Sequence, residues 1–430
     1  MIGRFSKIAA AVGVGAIMVA GAAGVANASL AQPTVVNEDA VSYTPHVAAD
    51  AVQDRPIAYA INQLGDTIYT GGRFHSVQNS ARNVTYERHN LFSFSATTGT
   101  VNSFAPDLDN DVWAIEPAGD SIYIGGEFTT VNGVSRPAIA KLDATTGQLD
   151  TTFNPKINHG RVTEIHLVDG RLLVSGTFQN RLVALNPTTG VNTGYIDIPI
   201  TGTVPVSTTP SQVFKFAVNP AGTRLVAVGN FTSVDNQVRQ RAFMLNLGAT
   251  SASLSSWYYT PLNTKCATNT GNRVAQLTDV DFSPDGSYFV FVATGFVPAQ
   301  TSQIGTAICD AAARFETNNL SPTVPTWINY TGGDTLHSVA ATGAAVYVQG
   351  HSRWLDNPYG HDSAGPGAVV RWGGGAINPV TGKANSWDPI MKHATGGYDF
   401  YASATGLWIA SDGKFFNTKH HYGIAFCALP

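Results

Sequence analysis

Gly65-Asp66-Thr67-Ile68-Tyr69-Thr70-Gly71-Gly72-Arg73-Phe74 returns further on as Gly119-Asp120-Ser121-Ile122-Tyr123-Ile124-Gly125-Gly126-Glu127-Phe128. Weaker copies follow at Gly170-Arg171-Leu172-Leu173-Val174-Ser175-Gly176-Thr177-Phe178, and at stretches ending in Gly229-Asn230-Phe231, Gly295-Phe296 and Gly350-His351. The last copy, Gly406-Leu407-Trp408-Ile409-Ala410-Ser411-Asp412, replaces the glycine pair. These seven units are spaced roughly 50 to 66 residues apart, a period of propeller blades or solenoids.

Each unit has one internal order. An apolar strand such as Val112-Trp113-Ala114-Ile115 comes first, then a tight turn and the alternating strand that ends in the glycines. A third strand (Ala138-Ile139-Ala140-Lys141-Leu142) runs into a Thr-Gly turn, as at Thr98-Gly99, Thr146-Gly147, Thr189-Gly190 and Thr381-Gly382. A fourth strand then carries an aromatic, often followed by proline. Period-2 patterning without a helical period between the strands is the grammar of a blade. Glycine inside a strand marks a bulge or a close backbone approach, and the Phe after the pair is expected to pack between blades.

The last unit stops after its third strand, Gly423-Ile424-Ala425-Phe426-Cys427. Near the other end, Val41-Ser42-Tyr43-Thr44-Pro45-His46 resembles the fourth strands Asn102-Ser103-Phe104-Ala105-Pro106 and Ser386-Trp387-Asp388-Pro389. A strand over about 36–48 is therefore expected to complete the last blade and cover both exposed edges. The expected fold is all-β: a single β-propeller of seven four-stranded blades spanning residues 29–430.

Of 430 residues, 43% are hydrophobic and 13% charged, with a net charge of −4. The charged share is about half the usual one, which suits short strands and turns rather than long surface helices. The cations form no stripe, which disfavours nucleic acid and strongly polyanionic ligands. Arg4 and Lys7, the apolar run 8–25 and Ala26-Asn27-Ala28 read as a secretory signal over 1–28, with Ser29 as the new N-terminus and no membrane association after cleavage. Cys266 and Cys309 fall in one repeat and form the expected disulfide, leaving Cys427 over.

The combination Gly125-Gly126-Glu127-Phe128, Val131-Asn132-Gly133, Ala140-Lys141-Leu142-Asp143, Thr146-Gly147 and Phe153-Asn154-Pro155 resembles a family of secreted bacterial propeller repeats, known mostly from actinobacteria. Gly350-His351-Ser352-Arg353-Trp354 and Gly406-Leu407-Trp408 are similar to its C-terminal blades. The resemblance implies a propeller over the mature chain and supplies no catalytic residues. The Ala-x-Leu-Asp-x-x-Thr-Gly turn is also similar to the repeat of quinoprotein propellers, usually eight-bladed, but no residue pattern here names a cofactor.

Polar residues on the innermost strands are the first site candidates: Glu164, Lys215, Asp279, Asp281, His337 and Asp399, beside Tyr59, Trp113 and Tyr401. Facing carboxylates suit acid–base work on a glycosidic bond, with Glu164, Asp281, His337 and Asp399 as candidate catalysts. The plainer alternative is a channel whose polar groups hold ordered water. The second candidate is the insertion 351–367, with His351, Arg353, Trp354, Asp356 and Tyr359 as ligand-binding residues: the rings stack on sugars and the polar groups bind hydroxyls. Its plainer alternative puts Trp354 in the inter-blade Phe position with Arg353 packed over it. Histidines 351, 361, 393, 420 and 421 have no ligand spacing, and no metal is assigned. The function expected is a secreted, monomeric binding module for a polysaccharide or a cell-envelope protein. A glycoside hydrolase or polysaccharide lyase is the alternative.

Overall fold

The computed structural model describes residues 30–430 apart from 206, 208, 269–270 and 392–395. The expected signal segment and His393 therefore lie outside the described residues. What is described is all-β, with only two short 3-10 turns at Thr260–Asn263 and Thr301–Gln303. No helix among the described residues is long and apolar enough to cross a membrane.

Seven antiparallel meander sheets follow one another along the described chain, each strand pairing with the next. Their first strands are Ile57–Leu64, Val112–Ala118, Val162–Val168, Gln212–Val218, Leu277–Phe282, Leu336–Ala341 and Gly397–Ser403. Each first strand lies against elements of the next sheet, and Gly397–Ser403 lies against Ile57–Leu64. The core sits between the sheets as apolar wedges, each shared by two neighbours. One wedge joins Ala58, Ile61, Phe74 and Phe92 of the first sheet to Trp408, Ile424 and Phe426 of the seventh.

The glycine pair is a device for this packing. A Cβ on Gly71 would sit 2.5 Å from Val112 Cγ1 of the next sheet, and one on Gly72 would sit 2.0 Å from the Ile57 carbonyl oxygen. Gly125 and Gly126 stand in the same relation to Val162 and to the Asp111 carbonyl. The Phe that follows is buried in the wedge, as Phe74 and Phe128 are.

Two sequence expectations need correction. Only the fourth and fifth sheets have a continuous fourth strand, Ala252–Leu254 and Trp327–Tyr330. In the first, second, third and sixth sheets that strand shrinks to single bridges at Val101, Leu149, Asn192 and Ala384. Its aromatic is still buried, as Phe104, Phe153 and Trp387 are. The proline that follows Phe104, Phe153 and Trp387 lacks a donor and ends the ladder.

The N-terminal segment is also shared out more widely than expected. Asn37 and Val41 donate to the carbonyls of Ala428 and Phe426, along Ile424–Ala428 of the seventh sheet. The chain then crosses over, Tyr43 donates its hydroxyl to the Ala96 carbonyl, and His46–Ala48 pairs with Ser76–Gln78 above the first sheet. Residues 46–48 therefore do not belong to the seventh sheet. Cys266 and Cys309 form the disulfide, and Cys427 is a buried thiol outside it.

Candidate functional site

Every first strand carries a bulge near its start, one or two residues after its pairing begins. The extra residues are Tyr59, Trp113, Thr163, Phe214, Thr278, His337 and Tyr398. A bulge re-aims a side chain, and here the re-aimed rings meet across sheets. Tyr398 is edge-on to Tyr59 at 4.9 Å, Tyr59 stacks on Trp113 at 4.1 Å, and His337 lies 5.9 Å from Tyr398. Trp113 approaches Phe214 edge-on at 6.5 Å. The two threonines interrupt the arc and bond to the neighbouring sheet instead, Thr278 through the Leu336 carbonyl at 2.8 Å.

The arc forms part of the wall of a cavity of about 650 Å³, inside the usual size range of small-ligand sites. The opposite wall comes from loops over the fourth and fifth sheets, including Val204, Thr209, Ala275, Gln276, Phe296 and Asp310. Asn230 ties one loop down, accepting from Val204 N and donating to the Thr209 and Pro210 carbonyls. The disulfide and Ala275 share a small apolar cluster that braces the other. Arg161, held by Glu127 at 2.8 Å, lies 4.8 Å above the Trp113 ring. Four buried polar atoms of lining residues, Trp113 Nε1, Arg161 Nε, Gln212 Oε1 and Arg241 Nε, have no partner among the described residues. Such atoms are rare in a finished core and suit a polar ligand.

Lys215 reaches from the lining into a buried charge cluster. Its Nζ is 2.5 Å from Glu164, which also meets His166 Nε2 at 3.2 Å. Burial raises the Glu164 carboxyl, but Lys215 and His166 outweigh this and hold it below its ordinary value. Asp279 and Asp399 go the other way: burial pushes Asp279 well up and Asp399 to about 7, with Lys215 offsetting only part. Burial would lower Lys215, yet Glu164, Asp399 and Asp279 together raise it. One lysine thus neutralises one glutamate among three carboxyls.

These carboxyls also have structural work. Asp399 accepts from Ile61 N, Asp279 from Val339 N and Asp281 from Ala341 N, each across to the next sheet at 2.8–2.9 Å. Burial next to His351 lowers His337 to about 4, so this imidazole is neutral at physiological pH. Burial raises Asp310 to about 7.

Of the residues singled out in the sequence, Tyr59, Trp113, Lys215 and His337 line the cavity. Glu164, Asp279 and Asp399 are grouped around Lys215 behind the lining, and neither they nor Asp281 and Tyr401 belong to it.

No residue of the insertion is in the cavity lining, although the His361 ring lies 4.7 Å from that of Phe296, which is. Arg353 pairs with Asp334 at 2.7 Å and with Asp362, and packs 4.4 Å over Trp354. Asp356 accepts from Asn329 and from Ala384 N, Tyr359 is 62% exposed, and the His351 ring lies 5.1 Å from His337. Trp354 does not take the inter-sheet Phe position. Gly350 pairs with Leu336 as Gly72 pairs with Ala58, which puts buried Ser352 where Phe74 stands.

Sequence reading missed Phe214, Tyr398, Arg161, Arg241, Asp310 and Gln212. Phe214 and Tyr398 were within reach: each precedes a singled-out polar residue by one position, as the bulge requires. Among the described residues no group of three or more His, Cys, Asp or Glu is placed to hold a metal ion.

Comparison with known proteins bears on the fold. Residues 120–153 match the model of a family described as a domain of unknown function (DUF5122) beta-propeller. No curated protein matches the chain. Among solved structures, the computationally designed Ika8 protein aligns over 87% of this chain and 97% of its own, at 10% identity and a TM-score of 0.47. Hydrazine synthase of Kuenenia stuttgartiensis aligns over 83% and 93%, at 14% identity and a TM-score of 0.47.

Proposed function

We propose that this chain is a secreted binding module: a closed ring of seven blades, with a signal segment at 1–28, that holds a carbohydrate or the glycan of a cell-envelope partner in the cavity at one mouth of its channel. The observation that carries this reading is the cavity itself. An arc of aromatic side chains lines one wall, and unpartnered polar atoms sit beside them. Stacking surfaces with a few convergent hydrogen-bonding groups are what a sugar ring requires. The sparse, scattered cations speak against nucleic acid.

The test is to incubate protein starting at Ser29 with soluble and insoluble polysaccharides, including cell-wall material, and to measure retained protein and released products in the same tubes. Retention without release is expected. Trp113→Ala should weaken binding on the order of tenfold or more, as loss of a central aromatic anchor does. Trp354→Ala and Tyr359→Ala should leave it unchanged. If Trp113→Ala binds at full strength, the cavity is not the site.

A second reading, a carbohydrate-active hydrolase or lyase, is favoured by one observation: Asp310 and Asp399 are both pushed up to about 7, the range of a general acid. It takes Glu164, Asp281, His337 and Asp399 as catalysts with Asp310 added. Product release that disappears in Asp310→Asn and Asp399→Asn would establish it. Retention without product in every tube removes it.

A further inference from the structure

Arg241 stands at the start of Ala242–Leu247 with a left-handed backbone (φ 67°) and is 2% exposed. It belongs to the cavity lining. One Nη donates to the Ala275 carbonyl, while Nε has no acceptor among the described residues. No carboxylate of the described residues forms an ion pair with it. The other two cations of the lining are committed, Lys215 to Glu164 and Arg161 to Glu127. Asp310 accepts from Thr335, and burial raises its carboxyl to about 7.

The hydrogen bond to Ala275 does not require a guanidinium. In the first sheet Asn90 has the same left-handed backbone before its third strand, and its neutral amide likewise bonds to a carbonyl ahead of the next sheet, that of Leu108. At Arg241 a full charge has been buried where an amide would suffice. Burying an unpaired cation is costly, and burial lowers this guanidinium to about 9. A group kept at that cost beside a cavity calls for an anion.

We infer that the ligand bears a carboxylate that pairs with Arg241 while its sugar ring sits against the aromatic wall of the cavity: an acidic sugar, of the uronic or sialic kind. This rests on the carbohydrate reading above. A single guanidinium with one Nη left to donate recognises one carboxylate, which agrees with a surface too poor in cations for a polyanion.

The test is calorimetric titration with tri-galacturonic acid and sialyllactose, each against its neutral counterpart, the methyl-esterified trimer and lactose. At least one acid should bind tenfold or more tightly than its counterpart. Arg241→Gln should erase that preference and Arg241→Lys should keep part of it, with melting curves confirming that both fold. Should Arg241→Gln not fold, the wild-type comparison of acid with ester still decides. Equal binding of acid and neutral sugar, abolished by Trp113→Ala, would overturn the carboxylate and leave the carbohydrate reading standing. Binding of neither overturns both.

Discussion

Lys215 shows how one residue can be both scaffold and site. It lines the cavity, and its ammonium is, among the described residues, the one cation that Glu164, Asp279 and Asp399 share. Removing it leaves buried Glu164 with only His166 beside it, and breaking such a pair costs up to about 3–5 kcal/mol. Lys215→Met should therefore lower stability by that order in urea unfolding. The double variant Lys215→Met/Glu164→Gln should recover much of the loss, because neither partner is left charged and alone. Equal loss in single and double variants would mean that the pair does not stabilise the fold. Gly72 makes the opposite point, since there it is the missing side chain that matters. With the Ile57 oxygen 2.0 Å from the position of a Cβ, Gly72→Ala must push two strands apart. The expected cost is about 1–3 kcal/mol, typical of an overfilled core, and it reads out as a lower urea midpoint at unchanged slope. Gly119 has the same residue type in a turn with φ 63° and nothing within 4 Å. Gly119→Asn should be nearly silent, because asparagine tolerates that conformation.

At the scale of elements, the disulfide links the strand Lys265–Thr268 to the start of Ala311–Glu316 over a separation of 43 residues. Closing a loop of that length removes entropy worth about 4 kcal/mol from the unfolded chain. Cys266→Ser/Cys309→Ser should lose up to that amount. It should also loosen the cavity wall, because Cys266 packs against Ala275 beside Gly295. Binding that weakens at a temperature where the variant is still folded would separate the two effects; full affinity there would mean that the disulfide stabilises without shaping the site. The pairing was legible in the sequence because both cysteines fall within one repeat. Its place beside the cavity was not, since loop paths over a sheet leave no periodic signal. The same contrast explains the rest of the site. Strand order, glycine pair and aromatic slots recur and so can be read. The cavity is built where the repeat departs from itself, from the long loops before the fourth and fifth sheets and from bulge residues whose identity changes from sheet to sheet. The insertion at 351–367 stood out by its length and composition; its Arg353 pairs with Asp334, ahead of the sixth sheet's first strand, and with Asp362.

On the scale of the whole molecule, the N-terminal segment decides whether seven sheets behave as one. Its backbone bonds reach the seventh sheet at Ala428 and Phe426, and its last three described strand residues pair beside the first sheet. Gln32 donates to the Ser403 and Gly406 carbonyls, and Val36 and Ala40 are buried against the sixth and seventh sheets. If the ring is closed, as proposed, deleting residues 36–48 should lower the melting temperature of the entire protein in a single transition; an unchanged melting temperature would rule the closure out. The junction also carries a titratable pair. His421 meets Thr44 at 3.1 Å, and His46 Nδ1 accepts from Tyr422 N. Burial, reinforced by each other's proximity and by Lys419 and His420, lowers His421 to about 4, and burial also lowers His46. An unfolded histidine titrates near 6.5. The unfolded chain therefore binds the proton first, and these residues cost no stability above pH of about 6.5. Their contribution turns unfavourable as pH falls from there to about 4 and then levels off. Asp399 and Asp310, raised to about 7, bend the curve the other way over the same range. The histidine share is read as the difference between wild type and His421→Asn. That difference should shrink from neutral pH towards pH 4, because wild type alone loses stability by protonation at this position. A difference that stays constant with pH would mean that His421 is not held neutral at the junction.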